Sequence, residues 1–236
     1  MPGRRGLLRA VVAVAAAAFV LCLPLYLVTA TISGAVNEVR LYQYGFDRYG
    51  VSEDTGIGDE ELLRAARELI AYFNSGQAAV QVTVENAHGE EVELFGEREV
   101  AHLKDVKALI RLSYRIAIGT LAYMAVVVVA GLLLYRERFW PQLARLGLWG
   151  GALTIALLCA VGIAAAVDFQ WLFIGFHRLF FSGDTWILAP SDYLIRMFPP
   201  PFFNDAALFV VGAVVVEALL VGGLGGLFWF RRRKAG

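Results

Sequence analysis

Four long runs of this chain are almost free of charge, and no other feature limits its fold so tightly. They occupy residues 7–30, 116–134, 146–167 and 207–230. Each holds roughly the 20 apolar residues that carry a helix across a hydrocarbon core of about 30 Å at about 1.5 Å per residue. In lipid a crossing segment must satisfy its own backbone hydrogen bonds, so runs of this kind are helices. The composition agrees: 58% of the 236 residues are hydrophobic and 18% charged, too apolar for a soluble domain of that length. The formal net charge is zero, but the charges crowd into the segments between the runs. No signal for nucleic-acid binding is present.

Lys and Arg in the short loops give the orientation. Arg4, Arg5 and Arg9 open the first run, Arg136, Arg138 and Arg145 fill the turn between the second and third, and Arg231, Arg232, Arg233 and Lys234 follow the fourth. With four spans all ten lie on one side, which is then cytoplasmic. The first run is expected to stay as an anchor. Val28-Thr29-Ala30 could pass for a signal-peptide cleavage site, but the apolar stretch is longer than the usual signal core of about 7–15 residues. Cys22 and Cys159 both fall inside apolar runs and read as small buried hydrophobes, which leaves no disulfide framework and no exposed thiolate nucleophile.

The expected fold is a membrane all-α bundle of four transmembrane helices with a small α/β extracytoplasmic cap and interfacial helices. Residues 1–30 form the cytoplasmic N-terminus and first span. Residues 31–115 form the cap and an interfacial helix, and 116–167 the second and third spans with their cytoplasmic turn. Residues 168–206 form an aromatic interfacial segment, and 207–236 the last span and basic tail. Within the cap, residues 60–73 read as an amphipathic helix with Leu62, Leu63, Ala66, Leu69, Ile70 and Phe73 on one face, Asp59 as N-cap and Gly76 as stop. Val80, Val82 and Val84 alternate with polar residues, residues 86–90 turn, and Val92 and Leu94 alternate again, which predicts a β-hairpin. From Glu97 a helical stripe of Val100, Leu103, Val106 and Ile110 faces away from Lys104 and Lys107. Run straight, this helix would lift His102 about 21 Å beyond Ile116. A helix lying in the interface with a bend near Ser113 is preferred, since it keeps His102 near headgroup depth.

The second outer segment carries Phe169, Trp171, Phe173, Phe176, Phe180 and Phe181 around His177 and Arg178, an interfacial composition. Ser182-Gly183-Asp184 marks a turn followed by Trp186, and the Pro199-Pro200-Pro201 run ends the segment before the last span. Of three histidines, His88 reads as a solvated turn residue, while His102 and His177 lie on segments touching the interface. Imidazole both takes and gives a proton near neutral pH, so these two are candidates for acid–base chemistry. On a helix Arg98, His102 and Asp105 fall on neighbouring turns, and Asp105 either fixes the His102 tautomer or makes a surface ion pair. Glu217 lies midway along the fourth run, either as a functional group or as a hydrogen-bonded carboxyl facing the bundle. Metal-binding motifs, glycine-rich phosphate loops and nucleophile elbows are absent from the sequence, and neither metal nor cofactor is expected.

At these residues the chain resembles a known family. One block is Arg98-Glu99-x-x-His102-Leu103-x-Asp105-Val106-Lys107. The other is Phe173-x-x-Phe176-His177-x-x-Phe180-Phe181-x-x-Asp184-Thr185-Trp186, continued by Asp192-x-Leu194-Ile195-x-Met197-Phe198-Pro199 and Phe202-Phe203. Together they are similar to the bacterial lipoprotein intramolecular transacylases, four-span membrane proteins. The resemblance implies an acyltransferase that moves the sn-2 acyl chain of a diacylglyceryl lipoprotein to the α-amino group of its N-terminal cysteine, leaving a lyso-form product. It implies His102 and His177 as the catalytic pair, with Arg98, Asp105, Asp184 and Trp186 in supporting or substrate-binding positions. Its partners are the lipid bilayer and the lipoprotein substrate, its location the bacterial cell membrane with the reaction at the outer leaflet. The sequence carries no signal for an oligomeric state. A rival from another class is a non-enzymatic membrane protein whose cap binds a lipid or an extracytoplasmic partner. A transporter, argued from Glu217 alone, lacks the internal symmetry that class shows.

Overall fold

The computed structural model describes residues 2–86 and 89–234, so His88 and the middle of the expected hairpin turn lie outside the described residues. The chain divides into two compact units. Unit one comprises residues 1–31, 114–163 and 210–236, and unit two residues 32–113 and 164–209.

Unit one is built from parts of four helices: α1 (Pro2–Asn37), α5 (Glu97–Tyr135), α6 (Trp140–Val167) and α9 (Pro200–Lys234). Among the described residues three helical stretches are long and apolar enough to cross a membrane, Gly6–Asn37, Glu97–Val167 and Pro200–Arg231. The middle one is α5 and α6 joined by a 3-10 turn at Arg136–Phe139. All four helices feed one core, with Phe19, Leu23 and Leu27 from α1, Met124 from α5, Leu146 from α6, and Val214 and Ala218 from α9. Leu7, Val14, Ile118, Leu133, Ile163 and Leu224 point outward instead. So much exposed apolar surface suits lipid and not water.

Two polar contacts inside this unit join different helices. The Tyr123 hydroxyl donates to the Ala15 carbonyl at 3.0 Å. The Thr31 hydroxyl meets both Glu217 carboxyl oxygens, at 3.1 and 3.3 Å, so Glu217 is hydrogen-bonded within the bundle. Helices α6 and α9 approach closely because small residues line the contact. A Cβ at Gly151 would stand 2.7 Å from the Ala218 carbonyl oxygen and 2.9 Å from Gly222 Cα, where only backbone could yield.

Unit two holds α2 (Val39–Tyr49), α3 (Val51–Thr55), α4 (Asp59–Asn74), a two-stranded sheet, the start of α5, α7 (Phe169–Phe180), α8 (Tyr193–Met197) and the start of α9. The amphipathic pattern of α4 is realised by burial of Leu62, Ala65, Ala66, Leu69, Tyr72 and Phe73. Its N-cap is Gly58 and not Asp59, which instead joins Glu60 and Glu61 in the first turn. There three carboxylates oppose the positive helix terminus without a capping bond. Strands β1 (Thr83–Glu85) and β2 (Glu91–Glu93) pair antiparallel with Val84 opposite Val92. Val80, Val82 and Leu94 are buried beyond the strand ends. The prolines Pro200 and Pro201 open α9 rather than precede it, as fits a residue with no N–H to leave unsatisfied in a first turn.

The helix runs through Ser113, where a bend was expected, without interruption: α5 is one helix of 39 residues. Neither Gly nor Pro interrupts it before Gly119. Of the charged face, Lys104 is exposed as read, but Lys107 and the neighbouring Arg111 are used inside the protein. Lys107 is buried, donates to the Gln77 carbonyl at 2.8 Å and lies 3.8 Å from the centre of the Tyr72 ring, while Arg111 donates to the Ser75 carbonyl. A cation held by carbonyls and a ring face has no need of an interface.

The glycine contact gives a direct test of this packing. Gly151→Leu is expected to destabilise the protein by about 1–3 kcal/mol, the usual cost of overpacking. Gly162→Ala has open space around its Cβ and sits in the same helix, so it should be neutral or slightly stabilising. Thermal unfolding of both variants in detergent measures the difference.

Candidate active site

Helices α5 and α7 each bring one histidine to the same place. His102 stands in the second turn of α5, whose start is fixed by Glu99. The Glu99 carboxylate accepts from the Gly96 N–H at 2.7 Å, the reach-back half of a capping box, and from the Leu194 N–H at the start of α8 at 2.6 Å. One buried carboxylate therefore caps two helices, and burial raises its pKa. His177 stands in the last turn of α7, whose start is capped by Asp168 accepting from the Trp171 N–H at 2.9 Å.

The two imidazole rings lie 6.1 Å apart, centre to centre, and nearly parallel at 27°. Phe181 presents an edge to His102 at 5.1 Å and packs on His177 at 5.3 Å. Phe173, Phe176 and Trp186 complete the wall around His177 at 4.2, 5.5 and 5.2 Å. The aromatic residues that read as a membrane anchor thus also enclose the histidines, of which only 8% and 9% of the surface remains exposed.

His177 Nδ1 is 2.8 Å from the Phe173 carbonyl. A carbonyl only accepts, so in the neutral ring Nδ1 carries the hydrogen and Nε2 the lone pair. His102 Nδ1 is buried without a hydrogen-bond partner among the described residues. Burial, reinforced by His177 and opposed by Asp105, lowers the His102 pKa to about 4. Burial lowers that of His177 as well, against the pull of the Phe173 carbonyl. In both rings desolvation penalises the charged form and so favours the neutral imidazole.

The supporting residues fall differently from expectation. Asp105 does not hold the His102 Nδ1; its carboxylate accepts from the Thr185 hydroxyl at 2.8 Å. The His102 ring is packed against Phe181 and His177, and the short aspartate turns to a nearer hydroxyl. Arg98 donates to the Ile187 carbonyl at 3.2 Å. Asp184 takes part through its backbone, its carbonyl accepting from the Ile187 N–H at 3.1 Å to close the turn that follows Gly183, φ 81°. Trp186 alone of these four touches a histidine ring. Sequence reasoning passed over Glu99 and Thr185. The position of Glu99, third in a helix that Gly96 precedes, was the available signal. Among the described residues no group of three or more His, Cys, Asp and Glu side chains is arranged to hold a metal.

The buried pair predicts an unusual titration. A His whose folded pKa lies below its ordinary value of 6.5 contributes stability above that pH, and the contribution is lost as pH falls through about 4. NMR of ring-labelled protein in detergent should therefore show the His102 ring neutral at pH 6 and protonating only near pH 4. A midpoint near 6.5 would contradict the burial described above.

Comparison with known proteins gives the family and the fold. The profile of the lipoprotein intramolecular transacylase Lit family matches residues 17–203. An uncharacterized protein of Aquifex aeolicus (strain VF5) is 29% identical over 127 residues, 54% of each protein, so the chain spans about half the length of the curated relative it matches. The solved structure of the membrane integral lipoprotein intramolecular transacylase Lit from Bacillus cereus aligns with a TM-score of 0.78 at 20% identity, over 95% of this chain and 98% of that one. A form of the same protein with one histidine replaced aligns with a TM-score of 0.77 at 20% identity, over 99% and 100%. At such identity these structures speak for a shared fold, whereas the family profile spans most of the sequence. The chain belongs to the lipoprotein intramolecular transacylase family.

Proposed function

We propose that this chain is an acyltransferase acting within one diacylglyceryl lipoprotein. It moves the sn-2 acyl chain from the glycerol to the α-amino group of the N-terminal cysteine. The observation that carries the proposal is the pair of buried imidazoles 6.1 Å apart inside an aromatic wall. The amine nitrogen attacks the ester carbonyl carbon, and an imidazole takes the N–H proton as the new C–N bond forms. The tetrahedral intermediate then expels the sn-2 glycerol oxygen, which receives that proton from the pair. An amide and a free hydroxyl result, with no covalent acyl-enzyme and no co-reactant. Nucleophile and ester belong to one molecule, so the enzyme contributes mainly by holding them in near-attack geometry. The phenylalanines and Trp186 keep water from competing for the ester.

In this reading α1, α5, α6 and α9 each cross the bilayer, giving four spans with both termini cytoplasmic. Residues 31–115 and 168–206 lie on the extracytoplasmic side and the reaction runs at the outer leaflet. Arg9, Arg136, Arg138, Arg145 and Arg231 support that orientation. Reporter fusions after Gly236 and within residues 136–145 should read cytoplasmic, and an external C-terminus would overturn the topology.

His102→Ala and His177→Ala are each expected to remove lyso-form lipoprotein, since a general acid–base contributes roughly 10²–10⁴-fold. Protein abundance should stay near wild type, and Cys22→Ala, Cys159→Ala and Glu217→Gln should retain activity. Mass spectrometry of lipoprotein N-termini reads all five. N-acylated product from a well-folded double histidine variant would mean that the chemistry lies elsewhere.

A further inference from the structure

The turn after α7 has ties on both sides of Trp186, and both come from a single face of α5. Arg98 and Asp105 are seven residues apart, two helical turns, and so project from the same side of the helix. Arg98 holds the carbonyl of Ile187, immediately after Trp186, at 3.2 Å. Asp105 holds the hydroxyl of Thr185, immediately before it, at 2.8 Å. His102 lies on α5 between the two tie points. The turn itself has no regular secondary structure, takes a left-handed Gly183 at φ 81° and is closed by one backbone bond, from the Ile187 N–H to the Asp184 carbonyl, so the side-chain ties to α5 add to that single bond in holding the Trp186 ring on His177.

We infer that Thr185, through its hydrogen bond to Asp105, is a positioning residue that holds Trp186 against His177. Asp105 serves the site through this latch and not by orienting His102. The inference rests on the acyl-transfer reading above for its activity assay, but the latch has a physical signature of its own. The Thr185 hydroxyl is the working group, so a serine should replace it and a valine of equal size should not. Asp105 works as an acceptor, so an amide oxygen should serve where an alanine cannot. A ring displaced by about 1 Å can cost on the order of 10²-fold in rate.

The test uses the full-length protein in nanodiscs with a synthetic diacylglyceryl lipopeptide, alongside hydrogen–deuterium exchange of the amides at 183–189. Thr185→Val and Asp105→Ala should each lower kcat roughly tenfold to hundredfold with little change in KM, and speed exchange across 183–189. The double variant should lose no more than either alone, as expected of one shared interaction. Thr185→Ser and Asp105→Asn should recover most of the activity and the slow exchange. Independent, multiplying losses would overturn the latch, as would wild-type exchange in Thr185→Val. An Asp105→Asn variant as impaired as Asp105→Ala, with a shifted His102 titration, would also overturn it, because Asp105 would then act on His102 by its charge. If wild-type protein makes no lyso-form product, the transfer reading fails, and the exchange pattern alone still decides whether the latch exists.

Discussion

Backbone hydrogen bonding has no outlet in hydrocarbon, and the architecture follows from that constraint. An apolar run can cross lipid only by closing its own i to i−4 ladder. Where such a run also lacks Gly and Pro, as α5 does from Glu97 to Ile118, nothing stops the ladder from continuing past the apolar part. The outcome is a rod that carries Arg98, His102 and Asp105 at fixed angular positions. A site built on a rigid helix keeps its geometry better than one built on loops. The bundle end is equally strict: the backbone contact at Gly151 leaves no room for a side chain, and Glu217 is held by Thr31 instead of being left unpaired.

Around the histidines a second constraint operates, the cost of burying polar groups without partners. Glu99 meets it by accepting two backbone N–H groups, and Lys107 by a carbonyl and a ring face. The histidines meet it by favouring the neutral ring. Desolvation that would be a liability for a charged side chain favours, in each imidazole, the form that accepts a proton.

Much of this was legible in the sequence, and the misses have physical causes. Hydropathy marked the four apolar helices because lipid leaves few alternatives, and the valine alternation marked the hairpin. The two histidines were legible as a candidate pair because imidazole is scarce here, and the structure brings their rings together. Lys107 was read as part of a charged outer face. Periodicity reports which side a cation projects from, not that Gln77 and Tyr72 wait there. Asp105 was assigned to His102 from spacing on one helix, while its partner Thr185 is distant in sequence and reaches it only through the fold. The N-cap at Gly58 was missed because three neighbouring acids offset the helix terminus electrostatically without a cap bond.

The central claim is that acyl transfer stays within one substrate molecule and passes through the histidine pair without an enzyme-bound acyl group. Purified protein in liposomes can be given an equal mixture of two lipopeptides. One carries deuterium in both the sn-2 chain and the peptide, and the other carries none. The account predicts N-acylated, lyso-form products in which labelled peptide bears only labelled acyl chains and unlabelled peptide only unlabelled ones. Mixed products, with labelled chains on unlabelled peptide, would contradict it, because an acyl group that leaves its own molecule must first be handed to the enzyme or to a second lipid.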